Sequence, residues 1–377
     1  MLSIWEKESF IHFDYIIVGS GIVGLSTALS IKEYAPQASV LILERGLLPT
    51  GASTRNAGFA CIGTVGEKVH DMALMGEANV IQLMFQRWEG LQLLRHRVGD
   101  AQMDFENLGG YELVLQHEQF NYDAMHRLNH LLAAEFKESV YCEVSSAREQ
   151  FGFNQSLVKT IIHNRLDGQL HSGKMLNRLM DLCQQANVRL ITGAEVTAFE
   201  ETPQGVHLHT TSGIRGEITF TCRQLAICTN AFARQLLPQA DVTPGRGQVL
   251  ITSPIDNCRI KGTFNFDEGY YYFRNLGDRI LFGGGRNLDV AGETTTALEL
   301  NNDIQERLDQ YLRELILPGQ SFTVTDRWAG IMGFGKEKLP EVRRISNRIS
   351  MGIKLNGMGV ALGSKIGDDL ARLITVN

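Results

Sequence analysis

The chain has 377 residues, a formal net charge of −6, and 44% hydrophobic and 21% charged residues; this size exceeds what one hydrophobic core organises and predicts two packed domains. Its basic residues are scattered, with Arg343, Arg344 and Arg348 the densest group, which excludes the basic stripe of a nucleic-acid binder. Six cysteines (Cys61, Cys142, Cys183, Cys222, Cys228, Cys258) lie far apart with no CxxC pair and no matching histidines, so no zinc framework is expected and free thiols in a reducing cytoplasm are.

In chain order, Met1–Phe13 mixes charges with Trp5, Phe10 and Phe13 and reads as an arm that packs on the body. A buried strand (Tyr15–Val18), a glycine turn, a small-residue helix (Gly21–Tyr34) and a second buried strand (Ser39–Leu43) ending in Glu44 form a βαβ unit. The apolar run Tyr15–Ile31 approaches the length of a membrane span, but glycines interrupt it, no basic region precedes it and no cleavage site follows, so neither a span nor a signal peptide is expected. Helical spacing over Glu67–Gly99 predicts one long helix, and Gly109–Gln116 alternates like a strand that begins a second domain. Ser172–Gln185 reads as a helix and Val188–Ile191 as a strand; Ala194–Thr211 with Gly216–Ile227 reads as an antiparallel meander. Pro244, Gly245 and Gly247 punctuate the chain before a strand at Gln248–Thr252, and Gly269–Asn275 with Arg279–Gly283 forms a hairpin around Leu276–Asp278. A helix at Leu298–Leu315, a strand at Ser321–Arg327 and a strand-turn-helix at Ile349–Leu373 complete the chain, so the two domains are interleaved.

The strongest motif is Gly19-Ser20-Gly21-Ile22-Val23-Gly24, which follows a strand and opens a helix, with Glu44 twenty residues beyond its last glycine. Gly19 permits the tight turn, Gly21 the approach of a pyrophosphate and Gly24 close helix–strand packing, while the helix start offers partial positive charge. Glu44 is placed to accept from a ribose diol and to repel a 2′-phosphate, which argues against NADP. This is a dinucleotide site, and the motif alone does not separate FAD from NAD. Two further segments do bear on that choice. Gly51–Phe59 (GASTRNAGF) is rich in small residues that let backbone N–H groups close on a flat ring or phosphate. Asn356–Gly363 (NGMGVALG) sets glycines at a second helix start, whose N–H donors can stabilise the negative charge of a reduced flavin.

In this order the segments GSGIVGLSTA with Glu44, GASTRNAGF, GAEVTAFE, AICTNAF (226–232), PGRGQ (244–248), YYYFR (270–274), GGGR (283–286), WAGI (328–331) and NGMGVALG resemble the D-amino-acid oxidase-like flavoproteins, among them glycine oxidase, sarcosine oxidase and bacterial D-amino-acid dehydrogenases. The resemblance spans nearly the whole chain. It implies an α/β fold in which a discontinuous Rossmann-like FAD-binding domain (1–85, 157–240 and 322–377) is interleaved with an α+β substrate domain (86–156 and 241–321) built on a mostly antiparallel sheet. It implies FAD held by Gly19, Gly21, Ile22, Val23, Gly24, Glu44 and Arg45 at the ADP half, with Val196 near the adenine. Ser53, Thr54, Asn56, Ala57 and Gly58 are implied along the pyrophosphate and flavin, together with Thr229 and Asn230, and Asn356, Gly357, Met358, Gly359 and Val360 at the pyrimidine end of the ring. Asn56 stands where covalent relatives carry histidine, and 328–335 holds no cysteine, so the FAD is expected to be noncovalent.

Two departures from the family bear on substrate. The carboxylate-binding arginine that follows the Trp-x-Gly segment in relatives is replaced by Met332, which leaves Arg274 and Arg286 as substitutes, and Ile280–Phe282 is apolar where sarcosine oxidase has its oxygen-activating lysine. Tyr270, Tyr272 and Arg274 share one strand face by alternation, and with Arg286 they are the candidate substrate contacts. No metal is expected: His207 and His209 share a face but lack a third ligand. His171 reads as a neighbour of a helix cap, Trp328 as packing, and Arg246 as either a phosphate contact or half of an ion pair. The expected activity is oxidation of the C–N bond of a small amine or amino-acid-like molecule by hydride transfer to flavin N5, with imine hydrolysis and oxygen or another carrier as acceptor. An FAD-dependent 2-hydroxy-acid dehydrogenase and a catalytically silent flavin-binding protein are the alternatives, and a peripheral membrane association stays open for a quinone acceptor.

Overall fold

Tyr15–Val18 and Val40–Leu43 are apolar on both faces, and strands of that kind need cover on both sides. The computed structural model, which describes residues 2–212 and 216–376, supplies it; Met1 and Asn377, the ends of the expected arm and terminal segment, lie outside the described residues. The strand His12–Val18 runs parallel to Val40–Leu43 on one side and to Gly216–Ile227 on the other. Across this sheet the order is Glu341–Arg344, Ile349–Ile353, Gly216–Ile227, His12–Val18, Val40–Leu43, Arg189–Ile191, and the hairpin of Glu195–Thr202 and Gly205–Ser212 extends from Gly216–Ile227. Ile17 and Ile42 pack with the helices Ile22–Tyr34, Ser172–Gln185 and Gly359–Thr375, whereas Ile16, Val18, Leu41 and Leu43 pack with the hairpin side through Val206, Leu208 and Phe220. In the helix Ile22–Tyr34 every residue from Ile22 to Ile31 is buried, as an all-round apolar helix must be. Where it meets the last helix, the Ser26 and Ser364 hydroxyls lie 3.2 Å apart and the Ser30 hydroxyl donates to Asp368 at 2.9 Å.

A second sheet has the order Val324–Phe334, Thr243–Thr252, Arg279–Gly284, Tyr271–Leu276, Thr263–Phe266, Gly110–Leu115, Val158–Asn164, Tyr141–Glu143, antiparallel throughout except where Thr263–Phe266 meets Gly110–Leu115. One face carries an aromatic core, in which Phe264 stacks on Phe273 at 4.8 Å and Phe266 on Tyr271 at 5.0 Å, beneath the helix Asn302–Tyr311. The alternation that sends Tyr271 and Phe273 into this core turns Tyr272 to the opposite face.

The strands Val158–Asn164 and Val324–Phe334 both pair in the second sheet. Several expectations about single elements are corrected. Val324–Phe334 runs seven residues past the expected end at Arg327, because Gly330 and Gly333 pair inside it. For the same reason Pro244, Gly245 and Gly247 belong to the strand Thr243–Thr252. The expected helix Glu67–Gly99 is two helices, Val65–Met75 and Glu77–Val98, joined at Gly76 with φ 80°; the apolar period continues across the joint and hides it. The amino-terminal arm is a short helix, Ile4–Ser9, closed by a capping box of Ser3 and Glu6, with no buried residue and Trp5 72% exposed. Among the described residues no helix is long and apolar enough to cross a membrane, and none of the six cysteines is disulfide-bonded.

Asp167 follows the strand Val158–Asn164, is 1% exposed and accepts from the Ile62 amide at 2.8 Å. Burial pushes its carboxyl up to about 7. A folded-state value above the unfolded one means the folded chain holds the proton more tightly, so this stabilisation is full below the unfolded carboxylate range and is lost as pH rises towards about 7. Thermal melts should therefore show Asp167→Asn gaining on the parent chain between about pH 4 and pH 7; a gap constant with pH would contradict the assignment.

Candidate active site

The turn between the first strand and the helix Ile22–Tyr34 is fastened by Glu44. This carboxylate is 7% exposed; Oε2 accepts from the Ser20 amide (3.0 Å) and hydroxyl (2.7 Å), and Oε1 from the Gly46 amide (2.9 Å). Gly24 lies directly beneath, where a Cβ would come 1.9 Å from the Gly19 carbonyl oxygen. The helix therefore starts at the strand's end, with Gly21 as a cap lacking a side-chain acceptor of its own; the Ser53 hydroxyl takes the Ile22 amide at 3.0 Å. A second helix start, Met358 ahead of Gly359–Thr375, also lacks a side-chain cap. Both open on one cavity of about 580 Å³ between the two sheets, within the roughly 300–1,000 Å³ usual for ligand sites.

Of the residues expected to hold the cofactor, Gly19, Gly21, Ile22, Val23, Glu44, Arg45, Ser53, Asn56, Ala57, Val196, Thr229, Asn230, Asn356, Gly357, Met358, Gly359 and Val360 line this cavity, and Gly24, Thr54 and Gly58 do not. Thr54 is corrected to a turn residue whose hydroxyl donates to the Pro49 and Gly51 carbonyls. Asn56 uses its whole side chain on the protein, donating to Ala52 and Ser53 and accepting from Gly58 and Ser172. Asn356 likewise donates to the Lys338 and Lys354 carbonyls and accepts from Gly335, and Asn230 accepts from the Lys354 and Leu355 amides. Asn56 and Asn356 thus shape the wall with both ends of their amides, whereas Asn230 engages only its oxygen. Arg45 is exposed and lies over the Phe232 ring at 3.9 Å.

The wall fits a dinucleotide in three respects. Two helix starts whose own N-cap residues offer no side-chain acceptor converge on it, where phosphates and other anions are favoured; the turn is built on glycines at 19, 21 and 24; and the buried Thr229 hydroxyl has no protein partner, the state of a group that awaits a ligand.

A family model described as FAD dependent oxidoreductase matches residues 14–373. The chain belongs to this family of FAD-dependent oxidoreductases. It is 21% identical to the probable oxidoreductase OrdL of Haemophilus influenzae over 96% of this chain and 83% of that one. Among solved structures, L-proline dehydrogenase from P. horikoshii superposes with a TM-score of 0.77 at 16% identity, covering 97% of this chain and 93% of that one. Glycine oxidase from Geobacillus kaustophilus gives 0.76 at 18% identity, covering 97% and 95%, and iminodiacetate oxidase from Chelativorans gives 0.76 at 17%, covering 96% and 95%. These likenesses show a shared fold.

Tyr270, Tyr272 and Arg286, expected as substrate contacts, also line the cavity, with Phe59, Val249, Asn265, Met332 and Phe334. Tyr270 precedes the strand and has helical φ/ψ, so it reaches the cavity as a turn residue and not by strand alternation. Tyr272 meets Phe59 edge-on at 5.6 Å, and burial pushes its hydroxyl up to about 12, which leaves it a hydrogen-bond donor near neutral pH. Arg274 is corrected: its guanidinium is spent on the Ala57, Leu170 and Asn275 carbonyls, and it does not line the cavity. Arg246 resolves to a buried ion pair with Glu293 (2.7 Å), His171 caps the helix Ser172–Gln185, and Trp328 donates to the Arg55 carbonyl at 3.0 Å. His209 pairs with Glu217 at 2.8 Å, and no cluster among the described residues suits a metal.

Sequence reading missed a polar wall made by Glu67, His70, Asp71, Arg87 and Lys338. Glu67, Lys68 and Asp71 at the start of a helix are a legible signal; Lys338, distant in sequence and in a loop, offers none. Gly24→Ala should weaken FAD binding at least tenfold and lower thermal stability, measured by fluorescence titration and melting, because the backbone on both sides of the contact is fixed. Wild-type affinity in that variant would contradict the account of the turn.

Proposed function

We propose that this oxidoreductase oxidises the C–N bond of a small amine that also carries a carboxylate, and that its FAD is held noncovalently. Bound FAD supplies the hydride acceptor, at N5, and the imine product is hydrolysed in water. The carrying observation is Arg286. It lines the cavity, its Nε has no protein acceptor, and its guanidinium lies 4.4 Å over the Phe334 ring. Burial lowers its pKa from the usual arginine value, yet an arginine stays charged. A cation without a protein hydrogen-bond acceptor in a partly desolvated wall is suited to a carboxylate that arrives with the substrate.

Gly245 makes this placement possible, since a Cβ there would come 3.0 Å from the Arg286 Nε and 2.5 Å from the Phe334 ring. Gly245 is also the register partner of Met332. Arg286 thus reaches, from the end of a neighbouring hairpin, the neighbourhood where relatives carry their arginine on the Met332 strand. Tyr272, Phe59 and Val249 supply the apolar floor that orients the carbon to be oxidised and excludes water. An amine bound in its neutral form needs no general base. His70, the histidine on the cavity wall, pairs with Glu268 at 3.3 Å and is about half exposed. The activities for which the neighbours are named, on proline, glycine and iminodiacetate, support the reading.

Turnover of the substrate should release one ammonia or amine and one carbonyl product for each pair of electrons delivered to the acceptor. A carbonyl product without released nitrogen would move the enzyme to hydroxy acids. Arg286→Ala should raise KM for a carboxylate-bearing donor about 30-fold, near 2 kcal/mol of lost pairing, with a smaller effect on its decarboxylated analogue. Acid precipitation should leave a colourless pellet and a yellow supernatant, and a yellow pellet would show a covalent bond to the flavin.

A further inference from the structure

Five charged side chains that the proposed chemistry does not consume meet at the cavity wall, four of them lining it (Glu67, Asp71, Arg87 and Lys338) and Lys68 behind them. Glu67 accepts from Lys68 and Arg87, each at 3.0 Å, and lies 3.2 Å from Lys338; Asp71 lies 2.8 Å from Lys338 and 3.7 Å from Lys68. The Lys68 and Asp71 side chains are fully buried and that of Arg87 nearly so. The cluster is tied to two segments expected beside the cofactor, the Gly51–Phe59 loop along the pyrophosphate and flavin and the Asn356–Val360 turn at the pyrimidine end of the ring. Arg87 donates to the Cys61 carbonyl at 2.9 Å, just past the loop that ends at Phe59, and the Lys338 carbonyl accepts from Asn356 at 3.0 Å, at the start of the Gly357–Gly359 turn.

Its charge does not balance, for three cations face two anions. The other acids in its field, Asp167 and Glu112, have carboxyls that burial pushes up to about 7, so below that pH they are mostly neutral. The Cys61 thiol is pushed up to about 11 and the Tyr141 hydroxyl well above its usual value, so neither supplies an anion. Glu67, by contrast, is held well below the usual carboxylate range by Lys68, Arg87 and Lys338 against the desolvation it suffers, and Lys68, which burial lowers to about 8, stays charged at pH 6. An uncompensated positive charge is costly in a buried wall unless an anion forms beside it.

We propose that the Glu67–Lys68–Asp71–Arg87–Lys338 cluster holds one excess positive charge beside the flavin ring and thereby stabilises the anionic reduced cofactor, raising its reduction potential. The proposal rests on FAD occupying the cavity. The balance is simple: oxidised FAD plus a hydride gives a reduced flavin with one negative charge, and the cluster supplies the matching positive one. Lys338 is the member to test, because its side chain is 29% exposed and its loss leaves the most buried members paired.

The test is made at pH 6 on the FAD-loaded enzyme, with two readouts that need no amine substrate: the two-electron potential against a reference dye, and the affinity for sulfite, which forms an anionic adduct with flavin. Lys338→Met should lower the potential by about 30 mV, which is tenfold for a two-electron couple, and weaken sulfite binding by a similar factor. Lys338→Arg should stay near wild type, and Asp71→Asn, which removes a negative charge, should shift both readouts the other way. FAD-loaded Lys338→Met or Lys338→Gln with potential and sulfite affinity within twofold of wild type would overturn the proposal while leaving the proposed reaction intact. A wild-type chain that takes up no FAD would instead overturn the cofactor reading on which both depend.

Discussion

Three hydrogen bonds to one buried carboxylate set the geometry on which the rest of the molecule depends. Glu44, at the end of the second strand, takes the Ser20 amide and hydroxyl and the Gly46 amide, so the turn after the first strand cannot drift from the sheet. With that turn fixed, the all-round apolar helix Ile22–Tyr34 starts against the strand, and its amide end faces the cavity. A carboxylate removed from water needs several donors, and two of these three come from Ser20, inside the glycine turn. The contacts that hold the fold here and the wall of the cavity are therefore one arrangement.

The second sheet completes the cavity by alternation. Its aromatic face is closed by stacked rings, and its other face presents Tyr272, Val249 and Gly247 to the cavity that the glycine turn also lines. Four arginines near the cavity show how partners decide roles. Arg246 is matched by Glu293, Arg274 by three carbonyls, and Arg87 by Glu67 and the Cys61 carbonyl. Arg286 alone of these four donates to no protein oxygen. Sequence position does not distinguish Arg274 from Arg286, since both sit near the ends of hairpin strands; only the carbonyls of Ala57 and Leu170, brought in from the first domain, do so.

What was legible in the sequence follows from local chemistry. The glycine turn, Glu44, the helix Ser172–Gln185 and the hairpin around Leu276–Asp278 depend on short-range spacing, and each lies where the residues place it. Glycine is also what obscured the rest. In Thr243–Thr252 and Val324–Phe334 it occurs inside paired strands to make room for Arg286, Phe334 and Arg55, and a reading that treats glycine as punctuation misplaces both. The roles of Asn56, Asn230 and Asn356 were hidden differently, since lining a site and holding its wall are separate matters that only the hydrogen-bond partners tell apart. The Glu67 cluster draws on two helices and a distant loop, a juxtaposition made by tertiary packing alone.

The most direct test of the central claim is the visible absorbance of the FAD-loaded enzyme held without oxygen while amines, N-methyl amino acids, D- and L-amino acids and hydroxy acids are added in turn. The account predicts rapid bleaching of the flavin band by a carboxylate-bearing amine and none by its hydroxy counterpart. Bleaching by hydroxy acids alone, or by no donor at all, would contradict it.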